Sequence, residues 1–143
     1  MGALARREMT SAERVVFEIL ETLPGVVVDS YNQPTPYSQG EKFNFILRVN
    51  NVPVFLNVDQ PFHFFDAYGR VAAAQQHKDA DIVILAEENN SDAQFIRIRS
   101  DDVTTKEHLD HFRDILTNIN ILNRMKQHWV NKKVYDEQFV EFG

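Results

Sequence analysis

The alternation of apolar and polar positions is sharpest between Lys42 and Asp59. Two apolar-rich runs, Phe43–Val49 and Val52–Val58, flank Asn50-Asn51, a pair that tolerates the positive φ of a two-residue hairpin turn. With Val49 opposite Val52, pairing continues through Leu47 with Val54 and Phe45 with Leu56, and Asn44 falls opposite Asn57. Successive side chains point to opposite faces, so Phe45, Leu47, Val54 and Leu56 are expected on a buried face and Asn44, Asn57 and Asp59 together on the other. His63 stands four residues beyond Asp59, past the strand exit, where functional groups concentrate.

Upstream, Val15, Val16, Ile19, Leu20 and Leu23 recur at helical spacing over residues 11–23, Pro24-Gly25 ends the run, and Thr10 and Glu13 have capping-box spacing. Val26-Val27-Val28 predicts a strand running toward Tyr31, and residues 32–41, with Pro34, Pro36 and Gly40, predict an exposed loop. Phe64, Phe65 and Tyr68 predict an aromatic loop that packs on the sheet edge or walls a ligand. A second helix is expected from about Arg70 to Glu87, although Ile82–Leu85 also fits a strand. Gln94–Arg99 alternates as a strand. Thr104 and Glu107 repeat the capping-box spacing, and Leu109, Phe112, Leu116, Ile119 and Met125 predict a third, long helix ending near Trp129. The order helix, three strands, helix, strand, helix gives an α/β fold with a mixed sheet. Residues 1–9 are expected to be a mobile or loosely docked tail, 10–129 one domain and 130–143 a C-terminal extension.

A chain of 143 residues with 43% apolar residues suits one domain with one core. The net charge of −6 argues against nucleic-acid binding through bulk charge and leaves a local basic face open. With no cysteine, disulfide scaffolds, thiolate metal sites and cysteine nucleophiles are excluded, and an intracellular, cytoplasmic setting is unopposed. No apolar run approaches the roughly 20 residues of a membrane helix. Arg6 and Arg7 are not followed by an apolar stretch, so no signal peptide is expected. His108 and His111 share a helix face, but without a third ligand at recognisable spacing they predict no zinc site. His77 and His128 have no partner legible in the sequence.

Taken in order, Thr10-Ser11-Ala12-Glu13, the strand Phe43-Asn44-Phe45, the strand Phe55–Asp59 followed by His63, Gln76-x-x-Asp79 and the strand Phe95–Ile98 resemble the very-short-patch-repair-like branch of the PD-(D/E)XK nuclease superfamily, which includes the EDxHD homing-type endonucleases. The resemblance covers residues 10–103 and rests on the order of five short motifs. It implies a restriction-endonuclease-like three-layer core, a mixed sheet flanked by helices, and cleavage or nicking of DNA with Mg²⁺ or Mn²⁺. Carried over by position, the catalytic set is Glu13, Asp59, His63 and Asp79, with Asp81 a rival for Asp79; Asp59 and Glu13 are the metal ligands. Arg70, Gln76, Lys78, Arg97 and Arg99 are the candidates to hold a DNA backbone.

The chain departs from that pattern where the chemistry is most demanding. Asn44 and Asn57 stand where the family has acids, Gln60 replaces a glycine and Ile82 a basic residue. A hard divalent cation prefers anionic oxygen, and hydrolysis needs it to acidify a water. The resemblance therefore implies a weakened or inactivated nuclease site. The alternative is a non-catalytic module that binds DNA or assembles with a protein partner, with homo-oligomerisation through Tyr135–Phe142 as a third expectation.

Overall fold

The computed structural model describes residues 8–34, 42–59, 92–122 and 126–131. Within them the order is α1 (Ser11–Thr22), β1 (Val26–Pro34), β2 (Lys42–Val49), β3 (Val52–Asp59), β4 (Gln94–Arg99), a 3₁₀ turn (Asp102–Thr104), α2 (Lys106–Thr117) and β5 (Gln127–Trp129). The strands form one mixed sheet in the order β1-β2-β3-β4-β5. β1, β2 and β3 are antiparallel neighbours, and β3, β4 and β5 run parallel. The fold is α/β. No described helix is long and apolar enough to cross a membrane.

Asn50 and Asn51 have φ of 50° and 68°, as a two-residue hairpin requires. The register follows from the turn: Val49 pairs with Val52, Leu47 with Val54 and Phe45 with Leu56. α1 begins on the expected capping box, and its Val16, Phe17, Ile19 and Leu20 are buried against Phe45, Leu47, Val54 and Leu56. Phe17 stacks on Phe45 with ring centroids 6.0 Å apart. Phe112 and Leu116 of α2 join the same core, so both described helices cover one face of the sheet. A smaller cluster, Phe43, Phe55, Ala93 and Phe95, lies apart from it.

Four sequence expectations are corrected. β1 continues to Pro34, through residues expected to form a loop, with Asn32 at positive φ and a register shift at Asp29. Met9, expected in the tail, is buried in the core. The second capping box does not form: Thr104 belongs to the 3₁₀ turn and its hydroxyl donates to Asp101 O, while the N-cap of α2 is Thr105. The third helix ends at Thr117, and Gln127–Trp129 is a strand. The Asn120 side chain accounts for that stop, because it satisfies both backbone groups that a continuing helix would pair with each other. Asn120 Oδ1 accepts from Leu122 N at 2.9 Å, and Asn120 Nδ2 donates to Asn118 O at 3.2 Å. The second helix expected over residues 70–87 and the aromatic loop of Phe64, Phe65 and Tyr68 lie outside the described residues.

Gly25 joins α1 to β1 at φ +80°, its carbonyl accepts from Asn50 N, and a Cβ there would collide with the Asn50 side chain. Gly25→Ala should therefore destabilise by at least the ~1–2 kcal/mol that a left-handed alanine costs. Asn51→Gly, exposed at a φ glycine favours, should be near neutral. Urea midpoints of the two variants measure the contrast.

Candidate functional site

Glu13 is a capping residue with a second task. Its Oε1 accepts from Thr10 N at 2.9 Å, while Thr10 Oγ1 accepts from Glu13 N at 3.1 Å. Its Oε2 points to the sheet and accepts two more bonds, from Tyr31 OH at 3.0 Å and from Asn44 Nδ2 at 3.0 Å. The carboxylate is buried, and its four-residue local cap and two long-range bonds join α1 to β1 and β2.

At Asn44 the β2–β3 ladder changes character. Backbone pairing is regular from Val49–Val52 to Phe45–Leu56. Beyond it, side chains substitute for the ladder: Val58 N donates to Asn44 Oδ1 at 2.8 Å, and Asn44 N donates to Asn57 Oδ1 at 3.1 Å. The facing of side chains slips at the same place. Phe45 belongs to the main core, yet Phe43, two residues away, packs with Phe55 and Phe95. The expected juxtaposition of Asn44 and Asn57 is present, whereas a single face carrying Asn44, Asn57 and Asp59 is not. Asn44 reaches Glu13 on the α1 side. Asn57 and Asp59 follow Phe55 by alternation onto the face of the smaller aromatic cluster.

On that second face the register with β4 sets Asn57 beside Arg97 and Asp59 beside Arg99. Arg97 Nη1 donates diagonally to Asp59 Oδ1 at 2.7 Å, and both side chains are closed to solvent, 6% and 5% exposed. Arg99 is also buried, with its guanidinium on Asp101. Neither of these expected DNA contacts presents a charge to a polymer backbone. Asp59 ends β3 within the parallel run, the strand end at which ligand sites of α/β sheets occur. Its carbonyl accepts from Ser100 N at 2.8 Å, tying the two strand exits together.

The described oxygens do not fit a divalent cation. Asn44 Oδ1 and Asn57 Oδ1 each accept a backbone N–H, Glu13 accepts three bonds, and Asp59 faces a guanidinium. Among the described residues no group of three or more metal-ligating side chains is arranged around a common point. His63, Asp79, Asp81, Arg70, Gln76 and Lys78 lie outside the described residues. His108 and His111 do not act together: His108 Nδ1 is turned to Asp102, 3.5 Å away, and His111 is exposed. His128, without a legible partner in the sequence, sits 2.9 Å from Gln94 Oε1.

Tyr31, Asp102 and Asn131 were not foreseen. Tyr31 carried a usable signal, being the phenol at the far end of a β-branched strand whose neighbour holds Asn44. Asp102 and Asn131 carried none, since 29 residues separate them. No protein-family model, no curated protein and no solved structure matches the chain.

Two consequences follow from the Glu13 network. Asn44→Asp would remove the donor to Glu13 and set a second carboxylate against it, costing about 1–3 kcal/mol at neutral pH. Like-charged carboxylates at that separation accept a shared proton or cation, so Mg²⁺ should restore part of the loss; urea denaturation with and without Mg²⁺ reads both effects. Burial foremost, then the Glu13 hydrogen bond and the charges of Glu13 and Glu8, push the Tyr31 phenol up from 10.0 to about 12. The fold favours the neutral phenol. Its contribution is complete below pH 10.0 and disappears as pH rises through about 12. In an alkaline absorbance titration Tyr31 should ionise late, and Glu13→Gln should bring it earlier.

Proposed function

We propose that the chain is a non-catalytic assembly module built on a nuclease-like α/β domain, with a restriction-endonuclease-like core whose site does not hold a catalytic metal. The observation that carries this reading is the buried Asp59–Arg97 pair at 2.7 Å. Asp59 is the acid that remains at the exit of the hairpin, and a fixed guanidinium stands where hydrolysis would need a cation with an exchangeable water. A metal would have to displace a partner whose removal from a buried pair costs about 3–5 kcal/mol.

Protein contact fits better than DNA contact. The chain carries a net charge of −6, and Arg97 and Arg99 are turned inward. The second reading, a weak metal-dependent endonuclease, is favoured by one observation: Asp59 ends a strand in the parallel run, with His63 four residues further along the chain.

Nicking of supercoiled plasmid in Mg²⁺ and in Mn²⁺ separates the two. The assembly reading expects no nicking by this sequence. It also expects none from Asn44→Asp/Asn57→Glu, because Arg97 still holds Asp59. Nicking by either form that His63→Ala abolishes would establish the nuclease reading instead.

A further inference from the structure

Two of the three large apolar side chains exposed among the described residues are neighbours in the turn after α2: Ile121 is 58% and Leu122 84% exposed. That turn is fixed from several sides. Asn120 Oδ1 accepts from Leu122 N at 2.9 Å, Asn120 O accepts from Nε2 of the fully buried Gln94 at 2.9 Å, and Ile119 is packed in the core. An aliphatic pair held out by such anchors cannot turn inward without breaking them. It stays in water at a cost that a partner would remove.

The charge around the turn is one-sided. Residues 115–135 contain four of the chain's 15 Lys and Arg residues, Arg124, Lys126, Lys132 and Lys133, and none of its 21 Asp and Glu residues. Lys126 stands beside the turn, because its carbonyl accepts from Phe95 N at 2.7 Å while the adjacent Gln94 holds Asn120. Other cations are matched: Arg48 pairs with Asp29, and Lys106 and Arg113 pair with Asp110. Lys126 has no ion-pair partner among the described residues. Two copies meeting turn to turn would bring like charges together, so the surface fits an occupant that is acidic and apolar at once.

The chain itself contains such a segment. Tyr135–Phe142, outside the described residues, carries three carboxylates, Asp136, Glu137 and Glu141, no base, and the rings of Phe139 and Phe142. A second copy is the better source of it than the same chain. β5 carries the chain away from the turn, and in the single chain both aliphatic side chains stand in solvent.

We propose that the Ile121–Leu122 turn of one copy receives the Tyr135–Phe142 segment of another, with aromatic rings on the aliphatic pair and carboxylates on Lys126. The contact deepens the assembly reading and rests on it, by naming the partner as a second copy. Each copy carries both halves, so two copies can exchange segments and close the assembly. The rings supply the contact area, and the exposed ion pairs add register and salt dependence more than strength.

Sedimentation velocity of the full chain from about 1 to about 200 µM tests the contact across the range of a weak protein pair. The mass should rise with concentration, and less so at high salt. Leu122→Asp, at a position exposed enough to leave the fold intact, should weaken association at least about tenfold, as the loss of a buried leucine does. Phe139→Ser/Phe142→Ser should do the same. An equimolar mixture of these two variants should associate more strongly than either alone, because one supplies the intact segment and the other the intact turn. Lys126→Glu should weaken association, and adding Asp136→Lys/Glu137→Lys should recover it. A chain monomeric throughout the range, association that survives Leu122→Asp, or a mixture no better than its components would overturn the contact. Plasmid nicking decides the assembly reading and sedimentation decides the contact, so the two fail separately.

Discussion

The two left-handed asparagines at the tip of β2 and β3 are the constraint on which the rest of the sheet depends. A strand has a side-chain period of two, so shifting the hairpin by one residue would turn Phe45, Leu47, Val54 and Leu56 out of the core. With Asn50 and Asn51 at positive φ that shift is excluded, and α1 has an apolar surface to cover. The same turn is braced from outside: Asn50 N bonds Gly25 O, and Asn50 Nδ2 lies 3.4 Å from Ile119 O. The junction of α1 with β1 and the end of α2 are thereby fixed to the element that sets the register.

What was legible in the sequence is what is local. The turn, the register to Phe45–Leu56 and the Thr10–Glu13 cap each depend on residues a few positions apart, and each has a strong stereochemical preference. The end of α2 was missed because an apolar stripe through Leu116 and Ile119 continues at helical spacing past the true stop. Ile119 is buried, as the stripe demands, but from outside the helix. The Asn120 side chain takes both ends of the Leu122-to-Asn118 backbone bond that helical continuation would need. β5 was missed for the complementary reason. A three-residue parallel edge strand gains its pairing entirely from β4, far away in sequence, and carries no period of its own.

The candidate site divides along the same line. That Asn44 and Asn57 meet follows from register alone. How they meet does not, because an asparagine side chain inserted in place of a ladder bond changes which face its neighbours occupy. The result separates Glu13 from Asp59: one acid is held by neutral donors beneath α1, the other by a guanidinium from β4. Arg97 could reach Asp59 only through the parallel pairing of β3 with β4, across a connection of more than thirty residues. Basic residues read as a polymer-binding strand thus became interior counter-charges. A surface role and a core role need the same residue type, and only the tertiary register distinguishes them.

The interior charges of the described residues are unequal. Glu13, Asp59 and Asp102 are buried against Arg97 and Arg99, three acids to two bases. Asp59 is neutralised directly, and Glu13 sits at a helix N-terminus, where partial positive charge favours an anion. Asp102 accepts, among the described residues, from the Arg99 N–H and the Asn131 amide, with His108 Nδ1 3.5 Å away. The strand exits at Asp59 and Ser100 are bonded to each other, two residues from Asp102, so two of the three buried acids gather at one end of the sheet, each held by a different kind of donor.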